Sequence, residues 1–306
     1  MGKTFEEIIS MPSDELQERL ANLVGLDTYK DKLIKILTIL LNPDKLQRWF
    51  DKNHPNANNV SSFINRKPPL IILEGDVGCG KTELGTSIGD SVARKEKIEI
   101  LLYPMSLSSR GEGRVGEMTQ LITSGFDEVI EMGKKFLSKT SKKARGAVIL
   151  LVDEADSLAQ SRENNQMHHE DKAGVNAFIR GIDRMGYAKI PAATILCTNR
   201  INSIDPALRR RATLVLSFKR PDQQQRFEVL KNPLGSLGLT EKEILDISNV
   251  DGSEDGTIDY TFTMSDIIQR LLPEIIIDAF PDSPVTYQKV KSIVSSMKPT
   301  PPFHEQ

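Results

Sequence analysis

The chain has little cysteine, a single tryptophan and no surplus of either charge. Among 306 residues only Cys79 and Cys197 are cysteines. Both sit in apolar or glycine-rich segments without a partner at metal-ligand spacing, which excludes a disulfide framework, gives no sign of a zinc site, and agrees with a reducing cytoplasm. No apolar run approaches the roughly 20 residues that span a bilayer, and the N-terminus lacks the charged-then-apolar order of a secretory signal. The chain is therefore expected to be cytoplasmic, with no membrane partner. Lys and Arg total 40 against 42 Asp and Glu, a formal net charge of -2. No global positive field invites nucleic acid, and no direct nucleic-acid contact is expected. Internal repeats are absent as well.

What remains is ordinary globular composition, 39% hydrophobic and 27% charged, in a chain longer than one typical domain. A stretch beginning near Ser13-Asp14-Glu15 places Leu16 and Leu20 four apart, as in a short leading helix. After the Val24-Gly25-Leu26 turn, Tyr29, Leu33, Ile36, Leu37, Leu40 and Leu41 keep helical spacing up to Asn42-Pro43. Residues 51–69, rich in Asn and Pro, read as a surface loop. Strand and helix signals then alternate: Leu70 to Leu73, a glycine loop and helix, Glu99 to Tyr103, a long helix around 117–137, Ala147 to Val152, a helix near 171–183, Ala193 to Cys197, and Thr213 to Phe218. This alternation predicts an α/β fold, a parallel sheet flanked by helices. From Asp222 onward only helical signals follow, so the division falls at 219: a large nucleotide-binding domain over 1–219 and a small helical lid over 220–306. The Pro-rich end, Lys298 to Gln306, reads as frayed.

The chemistry is concentrated in three segments. Gly75-Asp76-Val77-Gly78-Cys79-Gly80-Lys81-Thr82 follows an apolar strand and opens a helix. In such a loop, glycines let successive N–H groups face the phosphates of ATP, Lys81 neutralises the β and γ oxygens, and Thr82 ligates Mg2+. The strand Ala147 to Val152 ends in Asp153-Glu154, at the carboxyl edge where open α/β sheets bind ligands. Asp153 is the second Mg2+ residue, and Glu154 the group that polarises the attacking water. The next strand ends at Thr198-Asn199, where the Asn199 amide is placed to orient that water. Six residues on begins Asp205-Pro206-Ala207-Leu208-Arg209-Arg210-Arg211, which brings three guanidinium groups, the first ten residues after Asn199, to a helix end. A guanidinium supplied to a neighbouring subunit would make hydrolysis conditional on assembly.

Taken together, the Val24-Gly25 turn, both Walker motifs, Asn199 and the arginine cluster resemble the AAA+ superfamily across nearly the whole chain. Two details, the Arg211-Ala212 step six residues beyond Asp205 and Arg270-Leu271-Leu272-Pro273 in the lid, are similar to the remodellers of HORMA domains. These are the meiotic and spindle-checkpoint ATPases, with small bacterial relatives encoded beside cyclic-oligonucleotide anti-phage systems (CBASS). The resemblance implies a homo-hexamer using ATP and Mg2+ to pull the N-terminal segment of a HORMA-domain protein through its pore, the substrate standing alone or in an assembly with a peptide or a nucleotidyltransferase. It makes Arg211 the preferred arginine finger, with Arg210 next, and adds Val24 and Gly25 to the nucleotide site. Eukaryotic members carry a recognition domain before the motor. Here only residues 1–23 precede Val24, so recognition is expected to use the motor surface or an external adaptor. The second sensor aligns with Ile267, with Arg270 one turn away, and stays unassigned.

Where AAA+ motors carry an aromatic-aliphatic-glycine pore loop, this chain has Arg114-Val115-Gly116, with Arg114 in the aromatic slot. Val115 offers an apolar contact and Gly116 backbone freedom. His168 and His169, in a second pore segment, lack the i, i+4 spacing of a helical metal pair. Two other classes fit a P-loop motor: a nucleic-acid loader or initiator, and a nucleotide-gated scaffold. The first needs a basic pore or an added DNA-binding motif. The second has no need of Glu154. A protease-partner unfoldase would call for a peptidase-docking tripeptide, and none is recognised.

Overall fold

The computed structural model describes residues 5, 7–57, 60, 67–107, 117–137, 144–155, 169–199, 204–252 and 260–302. The chain divides into two compact units. One comprises Met1–Ala21, Thr28–Glu74 and Thr82–Ser217, the other Asn22–Asp27, Gly75–Lys81 and Phe218–Gln306. The second unit thus gathers the Val24-Gly25 turn and the glycine loop together with the C-terminal helices.

The larger unit is built on a sheet of order β1-β3-β4-β5-β2-β6. Its strands are β1 (Ile9–Met11), β2 (Leu70–Gly75), β3 (Glu99–Ser106), β4 (Gly146–Asp153), β5 (Ala192–Thr198) and β6 (Leu214–Phe218). Strand β4 is buried along nearly its whole length and pairs in parallel with β3 and β5, with Val152 opposite both Met105 and Leu196. Covered on both faces, such a strand needs a continuous apolar run, which Ala147 to Val152 provides. The helices are α1 (Asp14–Asn22), α2 (Asp27–Leu41), α3 (Pro43–Asn53), α4 (Lys81–Glu96), α5 (Glu117–Phe136), α6 (His169–Ala188) and α7 (Pro206–Arg211). Helices α5 and α6 pack through Phe126 and Phe178, fully buried, with ring centroids 5.3 Å apart in an edge arrangement. Truncating either ring would cost about 3–5 kcal/mol.

Three expectations need correction. The sheet is mixed rather than parallel, because β1 adds antiparallel to β3, with Ile9 opposite Leu102 and Met11 opposite Ile100. Helix α3 occupies part of the stretch read as a loop: Pro43 does not only stop α2 but begins α3, where a missing N–H costs nothing. The C-terminal tail is not frayed through Thr300. Pro299 is buried, and Thr300 donates its backbone N–H and hydroxyl to the buried Asp266 carboxylate at 3.0 and 2.6 Å.

The second unit carries α8 (Gln223–Ser236), α9 (Glu241–Asn249), a π-helical turn over Asp266–Leu271, α10 (Leu272–Ala279) and α11 (Tyr287–Ser296). Helices α8 and α9 each start with a reciprocal capping box, Asp222 with Gln225 and Thr240 with Glu243. Their apolar faces close a separate core around Leu230, Leu234, Ile244, Ile247, Phe262, Ile267 and Val290. Val24 packs against that core, and the Gly25 carbonyl accepts the Gln225 side-chain amide at 2.7 Å.

Candidate functional site

Within the second unit the glycine loop has its own internal geometry. Gly78 and Gly80 take φ of +71° and +87°, conformations in which a β-carbon is strained. A β-carbon on Gly78 would also lie 2.8 Å from Ser265 Cβ and 2.9 Å from the Thr263 hydroxyl. The Gly78 carbonyl accepts the Ser265 N–H at 3.0 Å. Lys81, 5% exposed, donates Nζ to the Asp76 carbonyl at 2.7 Å. An ammonium that donates to a backbone carbonyl would bind a charged oxygen more strongly. The Val77 side chain points to solvent, whereas Cys79 is buried. Burial pushes the Cys79 thiol up to about 11 against the opposing pull of Lys81, so it stays protonated and poorly nucleophilic.

The larger unit holds the carboxylates. The Thr82 hydroxyl lies 3.1 Å from Asp153 Oδ1. This hydroxyl and carboxylate are hard oxygen donors, which fits Mg2+ far better than a softer metal. Glu154 takes φ of +52°, uncommon for a residue other than glycine and recurrent at functional positions. Its N–H donates to Asp153 Oδ1 at 2.9 Å, and its carboxylate accepts the Ser106 hydroxyl at 3.1 Å. Ser106 ends β3 and Asp153 ends the neighbouring β4, so the pairing of these strands sets the contact. Asn199 directly follows Thr198, the last residue of β5, at the same edge of the sheet.

The three arginines of α7 have three different surroundings. Arg209 makes two hydrogen bonds of 3.0 Å to Glu74, a fully buried carboxylate that also accepts from Ser217 at 2.7 Å. Arg210 is exposed and donates Nε to the Pro206 carbonyl at 3.3 Å. Arg211 is partly buried and gripped by Asp183 of α6. In the second unit, Ile267 is buried and Arg270 pairs with Asp266 at 2.5 Å.

The strand ends thus bring Thr82, Asp153, Glu154 and Ser106 together. Arg114, Val115 and Gly116 lie outside the described residues. Ser106, Asp183 and Glu74 were not found from sequence, since each acts through a partner 28 to 135 positions away with no local pattern. No cluster of three or more metal-ligating side chains occurs among the described residues. No helix among them is long and apolar enough to cross a membrane.

The chain is similar to several known proteins. Residues 71–220 match the ATPase family associated with various cellular activities (AAA). The chain is 53% identical to CD-NTase-associated protein 6 of Escherichia coli strain MS 115-1 over 303 residues, spanning 99% of this chain and 97% of that protein. It is similar, at 52% identity and a TM-score of 0.90, to a chain in the structure of the E. coli MS115-1 HORMA:CdnC:Trip13 complex, covering 98% of this chain and 97% of that one. Likeness to the structure of Rhizobiales Trip13 reaches 45% identity and a TM-score of 0.77, over 97% of this chain and all of the other (100%).

Proposed function

The chain belongs to the CD-NTase-associated protein 6 group within the AAA ATPase family, and from that membership we propose a hexameric remodeller that spends ATP to pull on a HORMA-domain protein. The N-terminal segment of that protein passes through the central pore, and its conversion or disassembly regulates an anti-phage signalling complex in the cytoplasm. Similarity along nearly the whole length to a chain solved with HORMA and CdnC partners supports the substrate class.

The observation that carries the hydrolytic reading is the 3.1 Å contact of Thr82 with Asp153, which joins the two motifs that flank a phosphate-bound cation. Lys81 exchanges its carbonyl partner for phosphate oxygens. Thr82 and Asp153 would hold Mg2+, which would supply positive charge beside the nucleotide's phosphates. Glu154 accepts a proton from the attacking water and Asn199 orients that water. Arg211 acts on the nucleotide of the neighbouring subunit, with two N–H groups beyond the three that bond among the described residues. Val115 and Gly116, with Arg114, grip the threaded backbone.

The test mixes the purified protein with the HORMA-domain protein of the E. coli MS115-1 HORMA:CdnC:Trip13 complex and follows protease sensitivity of that protein's N-terminal segment. ATP should change the digestion pattern and a non-hydrolysable analogue should not. Identical patterns with ATP and without nucleotide would overturn the remodelling reading.

A further inference from the structure

Asp76 places a carboxylate inside a loop whose task is to receive phosphates. Its side chain is 10% exposed, too buried for water to screen the charge fully. Arg220, whose side chain is 11% exposed, donates Nε and Nη2 to Asp76 Oδ2 at 2.8 and 2.6 Å. The other oxygen, Oδ1, accepts the Val77 N–H at 2.8 Å. Nη1 of Arg220 donates to the Thr261 carbonyl, and its guanidinium carbon lies 5.1 Å from the Tyr260 ring centroid. Arg220 stands in Lys219-Arg220-Pro221, between β6 and α8, and all of these groups belong to the second unit.

The Asp76 backbone matters as much as its side chain, because its carbonyl accepts Lys81 Nζ. Holding the carboxylate therefore fixes the acceptor from which the lysine must depart. Without Arg220, the Asp76 carboxylate would lose its guanidinium partner in a partly desolvated site, and the added like-charge repulsion of a polyphosphate would grow with the number of phosphate charges.

We infer that Arg220 is a positioning residue for nucleotide: it cancels the Asp76 charge within the phosphate loop and thereby sets the preference for ATP over nucleotides with fewer phosphates. The inference rests on the reading of Gly75–Lys81 as the phosphate cradle. It assigns to the segment between sheet and lid an electrostatic task distinct from that of a hinge.

The experiment is calorimetric titration of ATP, ADP and AMP into the parent protein, Arg220→Ala, Arg220→Gln, Asp76→Asn and the double variant Arg220→Ala/Asp76→Asn, with thermal melts confirming folding. Arg220→Ala should weaken ATP at least about tenfold, ADP less and AMP least, in line with the Coulomb energy of partly buried unit charges. Arg220→Gln, which keeps a hydrogen bond but no charge, should show the same grading should the alanine variant fail to fold. Asp76→Asn should bind ATP more tightly than the parent, because Arg220 then faces the phosphates alone. The double variant should return ATP affinity to within about threefold of the parent, although the bonds to Thr261 and Tyr260 are gone. A uniform loss for all three nucleotides, or no rescue in the double variant, would show a purely structural role and overturn the inference. A parent that binds no nucleotide overturns the cradle reading together with it, so the two failures are distinct.

Discussion

Arg211 and Asp183 are joined by two parallel hydrogen bonds, Nε to Oδ1 at 2.9 Å and Nη2 to Oδ2 at 3.0 Å. The fork-to-fork contact fixes the guanidinium plane, and a third bond from Nη1 to the Ala207 carbonyl at 3.1 Å fixes it further. On the finger role proposed above, the guanidinium would reach a neighbour's phosphate already oriented. Arg211→Ala should lower turnover about a thousandfold, and Asp183→Ala about tenfold through loss of orientation. Stability should change by no more than about 1 kcal/mol in either, since the pair is partly exposed. Arg210→Ala is the control. If steady-state phosphate release falls further in Arg210→Ala than in Arg211→Ala, the exposed neighbour is the finger.

Action between subunits has its own signature. Arg211→Ala and Glu154→Gln proteins, each nearly inactive, should recover part of their turnover when mixed rings form. Some interfaces then pair an intact Glu154 with an intact Arg211. A finger working on its own subunit's nucleotide leaves no competent site in such rings. Absence of recovery in rings shown to exchange subunits, by a fluorescence transfer assay, would therefore exclude a finger acting across the interface in single functional pairs.

Glu154→Gln keeps the shape of the side chain but removes its basicity. Turnover should drop at least about a hundredfold while ATP still binds, giving a nucleotide-trapped assembly. Phosphate release within twofold of the parent would remove Glu154 from its proposed role. Lys81→Ala should act earlier, weakening ATP binding itself by at least about tenfold, because the phosphates lose a nearly buried cation. Calorimetry separates the two outcomes.

Asp266 fastens the tail to the second unit. Burial opposes its ionisation, yet hydrogen bonds from Thr263, Thr300 and Arg270 outweigh that and hold its carboxyl below the usual range. Its folded value is the lower one, so its contribution is present above the unfolded value of about 3.9 and lost only as pH falls through the folded value. The tail should remain docked at pH 5 and detach in stronger acid. Asp266→Ala should cost about 2–4 kcal/mol in chemical denaturation and expose residues near Thr300 to limited proteolysis at neutral pH. An unchanged midpoint would show that the tail contributes nothing.

The parts of this molecule that were legible in the sequence are those whose chemistry is contiguous. The run from Gly75 to Thr82 and the strand ending at Asp153-Glu154 each carry their reason within eight residues, and the apolar strands between helices announced the α/β class. Strand β1 was hidden because three residues have no periodicity of their own and pair only with Ile100 to Leu102. Helix α3 was hidden by Pro43, which terminates one helix and begins another with equal ease. The charge pairs Asp76 with Arg220 and Arg211 with Asp183 span 144 and 28 positions. Nothing local in a sequence distinguishes an arginine that will pair with a distant carboxylate from one that will stay exposed, as Arg210 does.

The left-handed backbone at Glu154 has an evolutionary consequence. Glycine or asparagine would occupy φ of +52° more comfortably than glutamate. Replacing Glu154 by glycine should leave the fold no less stable than the parent in a thermal melt, and slightly hardier where backbone relief outweighs the added freedom of the unfolded chain, while hydrolysis disappears. On the role proposed for Glu154, drift toward a sturdier protein at this position would lead straight to an inert one, and selection for turnover would have to hold the glutamate against the thermodynamic gradient.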